Sequence, residues 1–279
     1  MLILSLALTP VLIIILFIYF QDKYSREPTL TLFVAFLLGI VSVIPAALLE
    51  NVYEWTINLQ VSDNIWVTII YAFIGVGLTE EFFKFIFLRW YIYKNKNFNE
   101  PMDGVVYAVM VSMGFAALEN VFYVFMSPDD PIGTAIVRSL TAVPAHACFG
   151  VIMGLYFGYA RFTYKKNRVK YLTRAVIYAS IAHGIYDVFL FIGCPYCPIL
   201  SLISLVVMLI ISLRIISRFK RISPFKKRHI LISHKKRIVT AEELARNEAR
   251  KKELRKKLKN VLNKKKRITP DDTSFREDS

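Results

Sequence analysis

The sequence predicts an all-α membrane protein, a polytopic bundle of about seven transmembrane helices followed by a basic cytoplasmic C-terminal tail. Three observations support this fold class. Hydrophobic residues make up 55% of the 279, the mean hydropathy is +0.45, and long apolar stretches recur between short polar ones. A helix needs about 20 mostly apolar residues to cross a bilayer, and these stretches reach that length. A soluble core is therefore not a serious rival.

Seven apolar stretches define the predicted spans. In chain order they are Leu2–Phe20, Thr29–Leu49, Ile65–Leu88, Gly104–Met126, Ile132–Ala160, Ala175–Gly193 and Ile199–Ser217. The first is interpreted as a helix because it lacks the basic start and the small-residue cleavage site of a signal peptide. Residues 1–218 are thus predicted to form the bundle and residues 219–279 the tail.

Basic residues alternate between the predicted loops, and this alternation orients the bundle. Loops 50–64, 127–131 and 194–198 contain no Lys or Arg, whereas loops 21–28, 89–103 and 161–174 contain two, three and six. The positive-inside rule then predicts a multi-pass protein of the cell membrane with its N-terminus outside and its C-terminus in the cytoplasm.

The segment from Arg214 onward, which is the end of the last span and the tail, accounts for the entire net charge of +15. From Arg214 onward there are 23 Lys and Arg against 8 Asp and Glu, while the preceding residues are balanced. Thr240 and Glu243 form a potential capping box, and Leu254, Leu258 and neighbouring apolar residues recur at helical spacing, which predicts an amphipathic helix over about 240–263. A basic juxtamembrane segment favours binding to anionic lipid, at about 1 kcal/mol per basic residue. Nucleic-acid contact is the less favoured alternative.

Ionisable residues inside the predicted spans are the main functional signal. They are Glu80, Glu81, Lys84, Glu119, Arg138, His146, His183 and Asp187. A charge at the bilayer centre costs about 2.5–3.5 kcal/mol on insertion scales, so such residues usually face a polar interior and have a function. All eight fall in helices three to six, and helices one, two and seven are expected to contribute nothing comparable. This segregation predicts four helices around a polar cavity.

Spacing within two helices predicts how these groups pair. Glu80 and Lys84 are four residues apart on one helical face, and Glu81 should point about 100° away. This geometry favours Glu80 as the partner of Lys84 and Glu81 as the base, but the sequence leaves open which of the two glutamates is the base, and a purely structural bridge would show the same spacing. His183 and Asp187 are also four apart, so the aspartate could orient the imidazole, or both could face one metal or water.

The pattern of motifs resembles the PrsW family of intramembrane proteases, and more distantly the CAAX-prenyl-protease group. The motifs are Glu80-Glu81-Phe82-Phe83-Lys84, Asp103-Gly104, the run from Gly114 to Asn120, Arg138, Pro144-Ala145-His146-Ala147 and the run from His183 to Asp187. They cover about residues 65–190. The resemblance implies hydrolysis of a peptide bond in a membrane-anchored regulatory protein, such as an anti-sigma factor. CAAX-type enzymes typically have Arg after the Glu pair, where this chain has Lys84, so their mechanism is not transferred.

Peptide hydrolysis needs an activated water, a stabilised oxyanion and a proton donor for the leaving amine. The candidate catalytic residues are Glu80, Glu81, Glu119, His146, His183 and Asp187, with Lys84, Asn120 and Arg138 in support. Zinc held by His146, His183 and Asp187 would suit an open catalytic site, but a metal-free glutamate enzyme would use the same residues. With untilted helices, Glu119 is expected nearer the outer surface than the others.

Two other classes of function remain open in the sequence. Intramembrane carboxylates and histidines also form ion relays, so an ion- or proton-coupled transporter is the alternative, although the spans show no repeated halves. Cys194 and Cys197 have the CxxC spacing of redox sites. They fall in a turn between two spans, so a disulfide that locks the turn, or inert thiols, is the preferred interpretation.

Overall fold

The computed structural model describes residues 2–226 and 242–257. In the first range every regular element is a helix: α1 (Leu2–Gln21), α2 (Thr29–Ile57), α3 (Ile65–Ile70), a π-helical segment (Tyr71–Leu78), α4 (Thr79–Ile92), α5 (Pro101–Phe125), α6 (Pro131–Leu140), α7 (Ala142–Phe162), α8 (Lys165–Ile192) and α9 (Cys197–Ile222). Together they form seven helical stretches that are long and apolar enough to cross a membrane. The predicted fold class is therefore confirmed.

The tail belongs to a second structural unit, which begins at Lys227. Its residues 242–257 are helical, and their side chains are exposed, including Leu254. Thr240 of the predicted capping box, Leu258 and the end of the predicted helix at 263 lie outside the described residues. The proposed extent of the amphipathic helix, and its binding to lipid, stay predictions.

Helix α5 is the most buried of the seven stretches and forms the centre of the bundle. Glycines allow its backbone to approach two neighbouring helices closely. A Cβ added at Gly154 of α7 would lie 2.5 Å from Cα of Val105, and one added at Gly114 of α5 would overlap the carbonyl oxygen of Phe36 in α2. Close backbone approach through small residues is how helices associate in membranes, where the hydrophobic effect between helices is weak.

Large apolar side chains stay exposed along the outer helices. Leu12, Ile13 and Leu16 of α1 and Ile203 and Leu213 of α9 are at least half exposed. These apolar side chains are not buried inside the protein, so contact with lipid explains why they are apolar. Helices α1 and α9 are also the least buried of the seven stretches. The two helices therefore form outer walls of the bundle.

Two helix boundaries differ from the predicted spans in ways that affect the site. Helix α2 continues beyond Leu49 to Ile57, because Val52, Tyr53 and Trp55 extend its apolar pattern past the polar pair at 50 and 51. The predicted fifth span is not one straight helix: α6 ends at Leu140, Thr141 leaves the helical conformation, and α7 starts at Ala142.

The cysteines behave as the preferred interpretation predicted. Cys194 and Cys197 form a disulfide across the turn that joins α8 to α9. Gly193, in the left-handed conformation, ends α8 just before this turn. Cys148 is buried inside α7.

Candidate active site

A π-helical segment leads directly into the glutamate pair. Over Tyr71–Leu78 the helix is wound more widely, and the Thr79 hydroxyl donates a hydrogen bond to the carbonyl oxygen of Ile74 at 3.1 Å. Such segments are rare in helices and occur frequently at functional sites. This one changes the rotation of α4 relative to α3, and it places Glu80 and Glu81 at the first turn of α4 facing the bundle interior.

Lys84 binds both glutamates. Its ammonium donates to Oε2 of Glu80 at 3.0 Å and to Oε1 of Glu81 at 2.7 Å, and all three side chains are almost fully buried. It also lies 3.9 Å from the centre of the Phe115 ring, a cation–π contact. The expectation that Lys84 would pair with Glu80 and leave Glu81 free is therefore wrong, because positions three and four apart in a helix are both within reach of one long side chain.

His146 lies between the lysine and a third carboxylate. Its Nδ1 is 3.1 Å from the ammonium of Lys84, and its Nε2 is 2.7 Å from Oε2 of Glu119. The other oxygen of Glu119 accepts a hydrogen bond from Arg138 at 3.1 Å. Asn120 fixes this arginine by accepting from its Nε at 2.9 Å, while the Asn120 amide donates to the carbonyl of Ala7 in α1 at 2.8 Å. Asn120 therefore supports the site by joining α1, α5 and α6.

The predicted height of Glu119 above the other groups is wrong. The break at Thr141 puts His146 only one turn from the start of α7, instead of deep within one long helix. The imidazole therefore lies at the level of Glu119, and the two side chains are in direct contact.

His183 lies between two acidic groups. Its Nδ1 is 3.2 Å from Oε1 of Glu81, and its Nε2 is 3.1 Å from Oδ2 of Asp187, one turn later on α8. The imidazole ring stacks on Phe149, with 4.4 Å between the ring centres. The structure thus brings all nine predicted site residues into one connected cluster on α4 to α8.

A cavity of about 610 Å³ opens onto this cluster. The carboxylate, imidazole and guanidinium side chains on its wall are those of Glu50, Glu80, Glu119, Arg138, His146, His183 and Asp187. Glu81 and Lys84 stay behind the wall, with side chains at most 1% exposed. Among the two glutamates of α4, Glu80 is thus the one that faces the cavity.

Glu50 was missed by the sequence analysis. The expectation that helix two contributes no ionisable group is wrong, because Glu50 lies inside the extended α2 and lines the cavity. Its Oε1 is buried and has no hydrogen-bond partner among the described residues. The apolar pattern that continues from Val52 onward is the feature of the sequence that indicates a helix extending past Glu50.

The donor set fits a metal ion. One ligand atom from each of Glu80, Glu81, His146 and His183 lies within 4.8 Å of the others, and all four residues are buried. Two imidazoles and two carboxylates are ligands that zinc accepts, and Oε2 of Glu81 is buried without a described partner. Asp187, which was predicted as a ligand, is outside this group because it contacts the far nitrogen of His183. In the structure the Lys84 ammonium is the cation that contacts three of the four residues.

The fold and site together define a class of protein. Glutamates and histidines that can activate water surround a cavity enclosed by helices long and apolar enough to span a membrane. This combination is that of a membrane-embedded hydrolase.

Comparison with known proteins identifies the family. The model of the "PrsW family intramembrane metalloprotease" matches residues 27–215, well over half of the chain. The Protease PrsW of Bacillus subtilis (strain 168) is 36% identical over 186 residues, which cover 66% of this chain and 81% of that protein. The Protease PrsW of Clostridioides difficile (strain 630) is 34% identical over 206 residues, which cover 73% of this chain and 85% of that protein. The chain therefore belongs to the PrsW family and is a peptidase.

No solved structure matches the chain. The family assignment confirms the enzyme class predicted from the sequence, and it decides against the transporter alternative. The more distant likeness to CAAX-type enzymes stays a prediction, as does the orientation of the termini.

Proposed function

We propose that this protease hydrolyses a peptide bond in a membrane-anchored regulatory protein, such as an anti-sigma factor, with Glu80 as the residue that activates water. The observation that supports this choice is the position of Glu80 on the cavity wall, where its carboxylate has room for a water molecule beside it. Glu81 is fully buried and contacts both Lys84 and His183, so it acts as a positioning residue.

The proton steps follow from the contacts. Glu80 takes a proton from the attacking water and later gives it to the leaving amine, as a general base and then a general acid. The Lys84 ammonium donates to the Glu80 carboxylate and holds it in place. To polarise the scissile carbonyl oxygen, His183 exchanges its Nδ1 contact with Glu81 for a contact with that oxygen, while Asp187 orients the ring through Nε2. His146 lines the cavity and is held between Lys84 and Glu119.

Arg138 and Glu119 hold His146 in place. A carboxylate that accepts from both an arginine and an imidazole fixes the ring and its proton. Residues Glu80, Glu81, His146 and His183 would hold a zinc-type ion, which as a bound Lewis acid would lower the pKa of water and polarise the carbonyl. The two cases use these residues in different roles: as ligands of the ion, or, without an ion, as the base and the hydrogen-bonding groups described above.

Reconstitution in liposomes tests the proposal. The purified protein should cleave a tagged single-span substrate, and Glu80→Gln should abolish cleavage while the protein still folds. Glu54→Gln is a matched control, because Glu54 is an exposed glutamate on α2 and should not change cleavage. Full activity of Glu80→Gln would overturn the assignment of the base. Comparison of membrane proteomes from cells with the wild-type and Glu80→Gln proteins would then identify the substrate, which should accumulate uncut.

The proposal also includes the orientation of the protein in the membrane, which rests on the basic residues of the tail and of the loops. We expect the C-terminus in the cytoplasm, where Lys and Arg beyond Arg214 would meet anionic lipid. The catalytic part would then be the bundle between about residues 65 and 190. Cysteine labelling of intact cells at the two ends of the chain would establish the orientation.

A further inference from the structure

A second group of buried acids lies far from the active site. Asp22 and Glu27 belong to the connection between α1 and α2, and Asp103 is in the first turn of α5. Asp103 precedes Glu119 by 16 residues on the same helix, so the two clusters are about 24 Å apart. The proposed proteolytic mechanism gives this second group no role, although Asp103-Gly104 was among the motifs that the sequence shares with the family.

We propose that Asp22, Glu27 and Asp103 bind a hard divalent cation that ties the α1–α2 connection to α5. One oxygen from each of the three carboxylates lies within 4.8 Å of the others, and all three residues are buried. Their side chains are at most 3% exposed. Among the described residues, no Lys or Arg forms a salt bridge with any of them.

Unpartnered oxygens point to a missing ligand. Oδ2 of Asp22 accepts a hydrogen bond from the backbone of Glu27, and Oδ2 of Asp103 accepts from the backbones of Asn99 and Glu100. Oδ1 of each aspartate is buried and has no hydrogen-bond partner in the described part of the chain. A buried carboxylate oxygen without a partner is costly, and a bound cation removes that cost.

Glu100 adds an independent observation at the same place. It is 2% exposed and its Oε2 is also buried without a described partner. Its backbone N–H donates to Oδ2 of Asp103, so it belongs to the same end of the bundle. Four buried carboxyl groups therefore lie at one end of the bundle with no salt bridge to a Lys or Arg among the described residues, and a bound cation or shared protons would stabilise this arrangement.

The chemistry of the donors selects the cation. All are oxygens, and the Tyr107 hydroxyl, which donates to Glu27, adds another oxygen at the edge of the group. Oxygen-only sites suit Ca²⁺ and Mg²⁺, whereas zinc prefers nitrogen and sulfur. Ca²⁺ takes six to eight oxygen ligands and accepts several carboxylates, whereas Mg²⁺ keeps several waters and is usually bound through one or two carboxylates. Three carboxylates within 4.8 Å of one another therefore favour Ca²⁺.

Terbium luminescence provides the test on the full chain in detergent. Tb³⁺ occupies oxygen sites of the Ca²⁺ type and emits when a tyrosine beside it is excited, and Tyr107 is in that position. We expect saturable emission that Ca²⁺ displaces, with Mg²⁺ a weaker competitor. Tyr107→Phe should dim the emission, whereas Tyr196→Phe, which removes an exposed tyrosine in the α8–α9 turn, should not.

Substitutions test whether the cation binds at these acids and not at the proteolytic active site. Glu27→Gln and Asp103→Asn should each weaken binding at least about tenfold. Asp129→Asn, an exposed aspartate, and Glu80→Gln, in the active site, should bind as the wild type does. Equal binding by the wild type and by Glu27→Gln would overturn the proposal. Preferential Mg²⁺ binding would support the site but overturn the preference drawn from the number of carboxylates.

A measurement on the unaltered protein covers the case in which the variants do not fold. Excess Ca²⁺ should raise the unfolding temperature of the chelator-treated wild type, because a ligand that binds only the folded state stabilises it. No shift with either Ca²⁺ or Mg²⁺, together with no Tb³⁺ emission, would show that the four carboxyls are stabilised by protons alone and would overturn the proposal.

Discussion

The ammonium of Lys84 lies 3.1 Å from Nδ1 of His146 and so connects α4 to α7. An ammonium group has only donors, which means that Nδ1 must accept and that the ring proton is on Nε2. Nε2 in turn lies 2.7 Å from Glu119, which accepts that proton in a hydrogen bond. The chain from Lys84 through His146 to Glu119 therefore fixes one tautomer of a buried histidine on the wall of the cavity.

Replacing Lys84 by Met should destabilise the protein and abolish cleavage. The substitution leaves two buried carboxylates without their cation, and breaking a buried ion pair in this way costs about 3–5 kcal/mol. Thermal unfolding in detergent and a cleavage assay measure the two effects. Lys94→Met removes an exposed lysine and should change neither. Wild-type stability of Lys84→Met would contradict the assigned ion pairs.

The two glutamates of α4 should respond differently to neutral substitution. Glu80→Gln should lower kcat by about two to four orders of magnitude with little loss of stability, because a cavity-facing general base contributes a factor of that size. Glu81→Gln should lower the unfolding temperature more, because it weakens contacts to Lys84 and His183 in a fully buried position. If instead Glu81→Gln were as stable as the wild type and only Glu80→Gln unfolded, the two roles would be reversed.

Two properties of the sequence identified the ionisable groups on α4 and α8: their helical spacing and the energetic cost of placing charges in an apolar span. A carboxylate within an apolar run is expensive wherever the helix packs, so Glu80, Glu81, His183 and Asp187 stood out without any tertiary information. The i,i+4 contact between His183 and Asp187 also follows from helix geometry alone. The fold class rested on the same kind of local signal.

Helix ends and breaks were not predictable in the same way. The start of α7 at Ala142 depends on how α6 and α7 pack, and it decided whether His146 could reach Glu119. Because α2 ends at Ile57 and not at Leu49, Glu50 is part of a helix that lines the cavity and not part of a loop. The π-helical segment sets the rotation of α4, and hydrophobic spacing gives no sign of it.

Glu50→Gln tests the cavity residue that the sequence did not reveal. Glu50 touches the cavity but neither catalytic histidine, so we expect KM to rise severalfold while kcat stays within about twofold, the pattern of lost substrate binding. Stability should be unchanged or slightly higher, since Oε1 of Glu50 has no described partner. Glu54→Gln on the exposed face of α2 is the control. A large fall in kcat would assign Glu50 to the chemistry.

Phe149→Leu should impair catalysis through His183. The phenyl ring stacks on the imidazole, and Leu fills similar volume without holding the ring plane. A conservative change of this kind costs less than about 1.5 kcal/mol, whereas the misoriented His183 should lower kcat by about tenfold. Phe125→Leu, at an exposed position at the end of α5, should leave both quantities unchanged. An unaltered kcat in Phe149→Leu would show that Asp187 and Glu81 orient His183 by themselves.

Stability should depend on pH through the acids at the α1–α2 connection once divalent cations are removed. Burial raises the pKa of Asp22 from 3.8 to about 7 and that of Glu27 from 4.5 to about 7. A raised carboxyl pKa means that the folded state binds protons more tightly than the unfolded state. The stabilisation is therefore complete below about pH 4 and is lost as the pH rises to about 7. In chelator, the unfolding temperature should fall over that window, and Asp22→Asn should flatten the profile. A profile that rises with pH over the same window in the wild type but not in Asp22→Asn would contradict the assigned direction.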